Sequence, residues 1–223
     1  MRSICVLLLL LFCAVILSMT TIVVQAQTQS WDDRSDFSLD KNPNGVWTYG
    51  YLDKDGCFAP YNSIFNLGDG IVGWAMNDDP DFAGNVTINT SAKTVEKFGI
   101  VWEPGQICLH PGLFGCKVVF RWTSPVSGTI SLNANIAGQS KHGAPANVEI
   151  KYKDESVTEA VVEGFAGVGE YKSGRFGDEP EQDFSSAIYV NKGETIDIVV
   201  SDTQIGVVGH IAINAAIIVT EKG

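Results

Sequence analysis

From residue 129 to 136 the chain alternates strictly: Ile130, Leu132, Ala134 and Ile136 fall on one side and Thr129, Ser131, Asn133 and Asn135 on the other. A period of two is the repeat of a β-strand with one buried face, whereas an amphipathic helix needs apolar residues every three to four positions. The same alternation returns at 147–153, with Val148, Ile150 and Tyr152 opposite Glu149, Lys151 and Lys153. It returns again at 194–200, with Ile196, Ile198 and Val200 opposite Thr195 and Asp197. Further strands are expected at 46–52, 71–76, 85–88, 98–102, 117–123, 156–162, 185–190 and 210–220, between turns rich in Gly, Pro, Asn and Asp. About eleven strands, each with one apolar face, must bury those faces against each other. This predicts an all-β, two-sheet antiparallel sandwich of jelly-roll or Greek-key type.

No internal repeat or low-complexity linker divides the chain. The expected organisation is a signal peptide at 1–26, a loose polar lead-in at 27–41 and a single sandwich domain at 42–223. Met1-Arg2-Ser3 supplies a positive start, residues 4–24 are almost uninterruptedly apolar, and Val24-Gln25-Ala26 is a small-residue cleavage site. Cleavage before Gln27 and a secreted, extracellular location follow; an uncleaved anchor is the alternative, because the apolar run is long enough to span a bilayer. Phe12 is too bulky to precede a lipid-modified Cys13. Residues 205–219 are apolar but short, carry His210 and Asn214, and lead to Glu221-Lys222, so no membrane association is expected after cleavage. With 26 acidic against 15 basic residues and a net charge of −11, nucleic acid is excluded as a partner. The acidity, spread along the chain, serves solubility or attracts cations, mineral or a basic partner.

Beyond the expected cleavage point lie Cys57, Cys108 and Cys116. Cys108 and Cys116 bracket a turn-rich loop that a disulfide would close, leaving Cys57 either buried or available for self-association with a second chain. Asn85-Val86-Thr87 and Asn89-Thr90-Ser91 are acceptor sequons, which makes Asn85 and Asn89 candidate surface glycosylation sites.

Trp47, Tyr49 and Tyr51 occupy alternate positions, so their rings share one face at a spacing suited to stacking on a sugar or a flat polymer. The alternative is that they fill the core. Asp78, Asp79 and Asp81 crowd a turn and are candidate ligands for calcium, the one metal the composition admits, although the same composition makes an ordinary solvated turn. Residues 178–183 form a second, weaker acidic turn. His110, His142 and His210 lack the spacing of a zinc site, and no Cys-x-x-Cys is present. No Gly-x-Ser-x-Gly elbow occurs, and the glycines of 164–177 join strands instead of opening a helix, which argues against a phosphate cradle. Arg121, between Phe120 and Trp122, must point away from the core, towards a cross-strand ion pair or a ligand.

The run Asn42-Pro43-Asn44-Gly45-Val46-Trp47-Thr48-Tyr49-Gly50-Tyr51 resembles the opening of a large group of secreted, often bacterial β-sandwich domains that begin Asn-Pro-Asn-Gly-x-Trp-x-Tyr-Gly. Leu109-His110-Pro111-Gly112, the segment 119–129 with Arg121-Trp122-Thr123 before a Pro and Gly turn, and Gly193-Glu194-Thr195-Ile196-Asp197 follow in that group's order. The resemblance implies a jelly-roll sandwich similar to carbohydrate-binding modules, without catalytic residues. The cysteines around His110 and the aliphatic last strand depart from the group. The function expected is non-catalytic binding of a glycan or extracellular polymer. Alternatives are a self-assembling matrix or mineral-associated protein, and a hydrolase whose paired carboxylates come from distant strands and leave no local trace.

Overall fold

The alternation is realised as extended chain almost throughout. A computed structural model describes residues 28–77, 83–112, 116–141, 145–153, 155–162, 181–202 and 209–223. Among these lie sixteen strands, β1 to β16 in chain order, and one short helix, α1 (Asp33–Asp36). The larger sheet runs, edge to edge, β14 (Glu181–Val190), β11 (Gly128–Gly138), β16 (Ile211–Lys222), β9 (Ile107–His110), β6 (Asn85–Asn89), β5 (Ile71–Ala75) and β4 (Ser63–Gly68), with β1 (Ser30–Asp32) joined to β16. The smaller sheet runs β13 (Glu155–Val162), β12 (Ala146–Tyr152), β15 (Thr195–Asp202), β10 (Lys117–Thr123), β2 (Trp47–Leu52) and β3 (Phe58–Pro60). A two-stranded hairpin, β7 (Val95–Lys97) and β8 (Ile100–Trp102), stands apart from both. The described pairings are antiparallel, and strands distant in sequence, such as β9 with β16 and β2 with β10, pair within one sheet, because the chain between them crosses from layer to layer. This is the all-β antiparallel sandwich that the periodicity predicts.

The inward column of β11, Ile130, Leu132, Ala134 and Ile136, meets Phe120 and Trp122 of β10, Val148 and Ile150 of β12, and Ile196, Ile198 and Val200 of β15 in one buried cluster. Each fully buried aliphatic or aromatic side chain contributes about 1.5–3 kcal/mol. Outward from β10, Arg121 lies directly opposite Asp197 of β15 and donates to it through two 2.7 Å hydrogen bonds, from Nε and from Nη2. Its guanidinium also sits 3.8 Å over the ring of Phe58. Of the two roles open to Arg121, the structure realises the cross-strand ion pair.

Residues 27–41 are not a loose lead-in from residue 30 onward, which corrects the expectation from their polarity. Ser30, Trp31 and Asp32 pair with Ile218, Ile217 and Ala216 of β16. Trp31 packs on Trp122 with ring centroids 5.4 Å apart, and Phe37 stacks on Tyr49 at 4.6 Å. Asp32 caps α1 by accepting from the Ser35 amide at 2.9 Å. Asp33 is fully buried there, and burial pushes its carboxyl up to about 7, with only partial relief from the backbone at Ala215. Two isolated aromatics in a polar run thus anchor a strap that composition alone reads as solvated.

The Asn-Pro-Asn-Gly opening proves to be a structural corner. Asn42 donates through Nδ2 to the carbonyls of Tyr49 (2.6 Å) and Tyr61 (2.9 Å) and accepts from the Tyr49 amide at 2.9 Å, tying the start of the domain to β2 and to the β3–β4 link. Asn44 Nδ2 donates to the Asp36 carbonyl at 2.8 Å, and Gly45 turns the chain at a φ of 59° into β2.

Candidate functional site

The larger sheet carries a partial third layer on its outer face. Val95 to Trp102 fold back as a flap, β7 and β8, closed by the two-residue turn Phe98-Gly99 with φ of 54° and 74°. Two successive positive φ values match the right-handed twist of a hairpin, which is why tight hairpins use them. The flap is pinned on several sides. Trp102 Nε1 donates to Thr87 Oγ1 at 3.1 Å, and Asn89 Nδ2 donates to the carbonyls of Trp102 (3.0 Å) and Lys93 (2.8 Å). The Val101 amide donates to the Gln139 carbonyl and the Lys141 amide to the Gly99 carbonyl, extending the chain beyond β11 along the flap. Lys97 pairs with Asp69 at 2.6 Å, and Lys141 with Glu96 at 2.7 Å. Beneath the flap Ile71, Ile100, Trp102 and Cys108 form a second buried cluster.

The flap leaves a cavity of about 370 Å³ between itself and the sheet. Its apolar walls are Phe65 and Leu67 of β4, Ile100 and Trp102 of β8, and the flap tip Phe98; its polar side is Asn85 of β6, His110 of β9 and His210, which precedes β16. Asn85 and His110 are direct partners across β6 and β9. The two imidazoles stack face to face, centroids 4.2 Å apart at 16°, and Trp102 meets His210 edge-on at 6.5 Å. Phe98 is 80 % exposed despite being a large aromatic at a backbone angle that side chains disfavour. An exposed aromatic held under such strain points to a contact surface. The described lining has no ammonium, guanidinium or carboxylate group. It offers ring faces for stacking on C–H surfaces, plus an amide and two imidazoles for hydroxyl groups.

Of the residues singled out from the sequence, Asn85, His110 and His210 line this cavity, though not in the roles weighed for them, and the others fall elsewhere. Trp47 and Tyr49 are buried, 1 % and 0 % exposed, and pack on Phe120 at 5.0 and 5.2 Å; Trp47 Nε1 donates to Asp36 Oδ2. Tyr51 is half-buried, stacked on Tyr61 at 5.6 Å with its hydroxyl donating to the Met76 sulfur. This corrects the expectation of a stacking platform: alternate positions do share a face, but the face is the one turned into the sandwich. Asp78, Asp79 and Asp81 lie outside the described residues, as do residues 1–26 and His142. Among the described residues no three His, Cys, Asp or Glu side chains come together as a metal site.

The expected disulfide is also corrected. Cys57, Cys108 and Cys116 are free thiols. Cys108 points from β9 into the cluster under the flap, whereas Cys116 packs into the main core, so the sheet itself separates them. Burial pushes both thiols up, and Cys108 also bonds towards Thr87. Cys57 is exposed beside the β2–β3 turn, and nothing in the structure supports a link to a second chain through it. Asn85 and Asn89 are not surface acceptors: they are 6 % and 0 % exposed, and the Asn89 amide holds the flap. Local three-residue patterns carry no information about what covers a sheet face, and here the flap covers both.

No family model matches the chain, and no curated protein matches it. Solved structures with a likeness to it include the K1 cleaved adhesin domain of Lys-gingipain from Porphyromonas gingivalis W83, 8 % identical, with 86 % of this chain and 96 % of that chain covered at a TM-score of 0.34. Another is the CBM36-1 domain of a multidomain xylanase from the hindgut metagenome of Trinervitermes trinervoides, 13 % identical over 60 % of this chain and 94 % of that one, TM-score 0.31. A family 35 carbohydrate binding module from Clostridium thermocellum is 11 % identical over 69 % and 89 %, TM-score 0.29. At these values the ligand of this chain has to be read from its own site.

Proposed function

We propose that this protein is a secreted, non-catalytic binding module that takes a glycan, at a chain end or a single ring, in the pocket beneath the β7–β8 flap. The observation that carries the reading is the cavity of about 370 Å³ with aromatic walls, hydrogen-bonding groups gathered on one side and Phe98 exposed at its rim. A sugar ring presents apolar C–H faces and a perimeter of hydroxyls, which is the complement of such a lining. The N-terminal apolar run supports export, and mass spectrometry of the exported chain should find it starting at Gln27.

The test is a glycan array probed with the mature protein, followed by calorimetric titration of the hits on Phe98→Ala. Phe98 is exposed, so its removal leaves the core intact; an affinity loss of about tenfold, or 1.4 kcal/mol, with an unchanged unfolding midpoint is the expected result. Silence on every glycan, or full affinity in Phe98→Ala, overturns the assignment.

A further inference from the structure

We propose that residues 28–35 form a latch on the sandwich that stays shut while Asp33 carries its proton and opens once the carboxyl ionises. The latch comprises β1 and all of α1 but its last residue, and it shares no residue with the flap pocket. Buried polar groups left without hydrogen-bond partners along its seam are the basis.

A buried polar group is ordinarily hydrogen-bonded, and a buried charge is ordinarily paired. The seam departs from both rules. Among the described residues, both carboxylate oxygens of Asp33, the Tyr49 hydroxyl and Trp122 Nε1 are buried without a hydrogen-bond partner. Each belongs to the strap or is covered by it: Trp31 packs on Trp122 with centroids 5.4 Å apart, and Phe37 stacks on Tyr49 at 4.6 Å. Aromatic contact holds the seam shut, and unmet polar groups oppose it. Opening the latch returns water to the Asp33 carboxyl.

The latch hinges at Asp36. The Asp36 carbonyl accepts from Asn44 Nδ2 at 2.8 Å and its Oδ2 from Trp47 Nε1 at 3.2 Å, while the Ser38 carbonyl accepts from Trp74 Nε1 at 2.8 Å. These bonds tie the strap to the domain from Asp36 onward. Before Asp36 the ties are the three-residue pairing of Ser30–Asp32 with β16, the bond from the Val219 amide to the Gln29 carbonyl at 2.9 Å, and Trp31 on Trp122. A terminal segment held by so few bonds opens while the rest of the domain stays folded.

Control by a proton follows from what faces Asp33. The residue is fully buried, and burial pushes its carboxyl up from 3.8 to about 7. On its own element Asp32 adds a like charge, Arg34 adds an opposite charge that is exposed to solvent, and Asp36 is engaged by Trp47. The backbone at Ala215 of β16 and at Arg34 favours the ionised form without completing a hydrogen bond to either oxygen. β2 presents the Tyr49 hydroxyl, which burial keeps protonated, and β10 meets the latch through the uncharged indole of Trp122.

The docked carboxyl binds its proton more tightly than the released one, so docking is favoured in full below pH 3.8 and the advantage is lost as the pH rises through about 7. Between pH 5 and pH 8 the equilibrium shifts about a hundredfold towards the open latch. Amide hydrogen exchange of the mature protein, corrected for the pH dependence of the chemical step, reads this at Val219, whose amide bonds to the latch. Its protection is expected to fall about a hundredfold over that range and to lie well below that of the β10 and β15 amides at pH 8. Asp33→Asn should keep the protection of Val219 level across the range. If that variant does not fold, carbon-detected titration of the native Asp33 carboxyl decides, with a midpoint of about 7 expected.

Val219 protection that is unchanged with pH, or a carboxyl midpoint below about 5, overturns the control. So does a fall that persists in Asp33→Asn. Protection at Val219 equal to that of β10 and β15 at pH 8 overturns the latch itself, because the strap then leaves only as the whole domain unfolds.

Discussion

The two ends of the larger sheet have the same pleat and opposite surroundings. At the end built from β14, β11 and β16 the outer face is open, with Asn133, Ser185 and Asn214 exposed. Its polar side chains bond mainly to one another: Ser185 donates to Asn133 at 2.8 Å and Asn135 to Asp183 at 3.0 Å. At the other end the flap lies on β6 and β9, and every residue from Asn85 to Asn89 is buried. There Thr87 and Asn89 turn inward-type roles out of outward-type positions, receiving Trp102 and holding the flap. A covered sheet face becomes a site where the cover is incomplete, because the uncovered remainder is walled by apolar groups that solvent alone would not have gathered.

The sharpest way to break this contrast is Trp102→Ala. If the flap encloses a true second core, the loss is about 3–5 kcal/mol in urea denaturation, and the Val101 amide exchanges faster; a loss below about 1 kcal/mol would make the flap ornamental. The strap at the open end has its own weak point in Asp33. Its carboxyl binds a proton more tightly folded, at about 7, than at the ordinary 3.8, so the stabilisation is complete below pH 4 and lost as the pH rises to 7. The lost stability amounts to as much as about 4 kcal/mol. Denaturation at pH 4, 5.5 and 8 should reveal the decline, and Asp33→Asn should flatten it; a pH-independent midpoint in the native protein would contradict it.

Smaller changes sharpen the comparison further. Thr87→Val removes the acceptor of the Trp102 indole at nearly constant volume and should cost about 1–3 kcal/mol. Asn133→Ala, at the geometrically similar outward position of the open end, should shift stability by no more than about 0.5 kcal/mol. Equal effects of the two would mean that the flap adds nothing to the burial of the sheet beneath it.

The contrast also explains what was legible. Along β11, where one face is open, burial alternates residue by residue and the strand is read directly from the sequence. Along β6 and β9 both faces are covered, alternation carries no signal, and β9 went unrecognised as a strand. The site residues were hidden for the same reason. His110 and His210 are a hundred positions apart and lack metal spacing, and Phe98-Gly99 has none of the Asn or Asp that usually mark a tight hairpin. Trp47 and Tyr49 were correctly placed on one face, but which way that face turned was not written in their spacing.

Side-chain period is a property of neighbouring residues, so the sequence by itself determined that this chain forms strands with single apolar faces and that they stack as two antiparallel layers. Tertiary structure alone decided which layer received a cover, since the docking of the flap depends on Thr87 and Asn89 of β6, Trp102 of β8 and Gln139 after β11 meeting from three separate segments. Such meetings depend on the closure of long loops and on complementary surfaces, neither of which leaves a periodic mark along the chain.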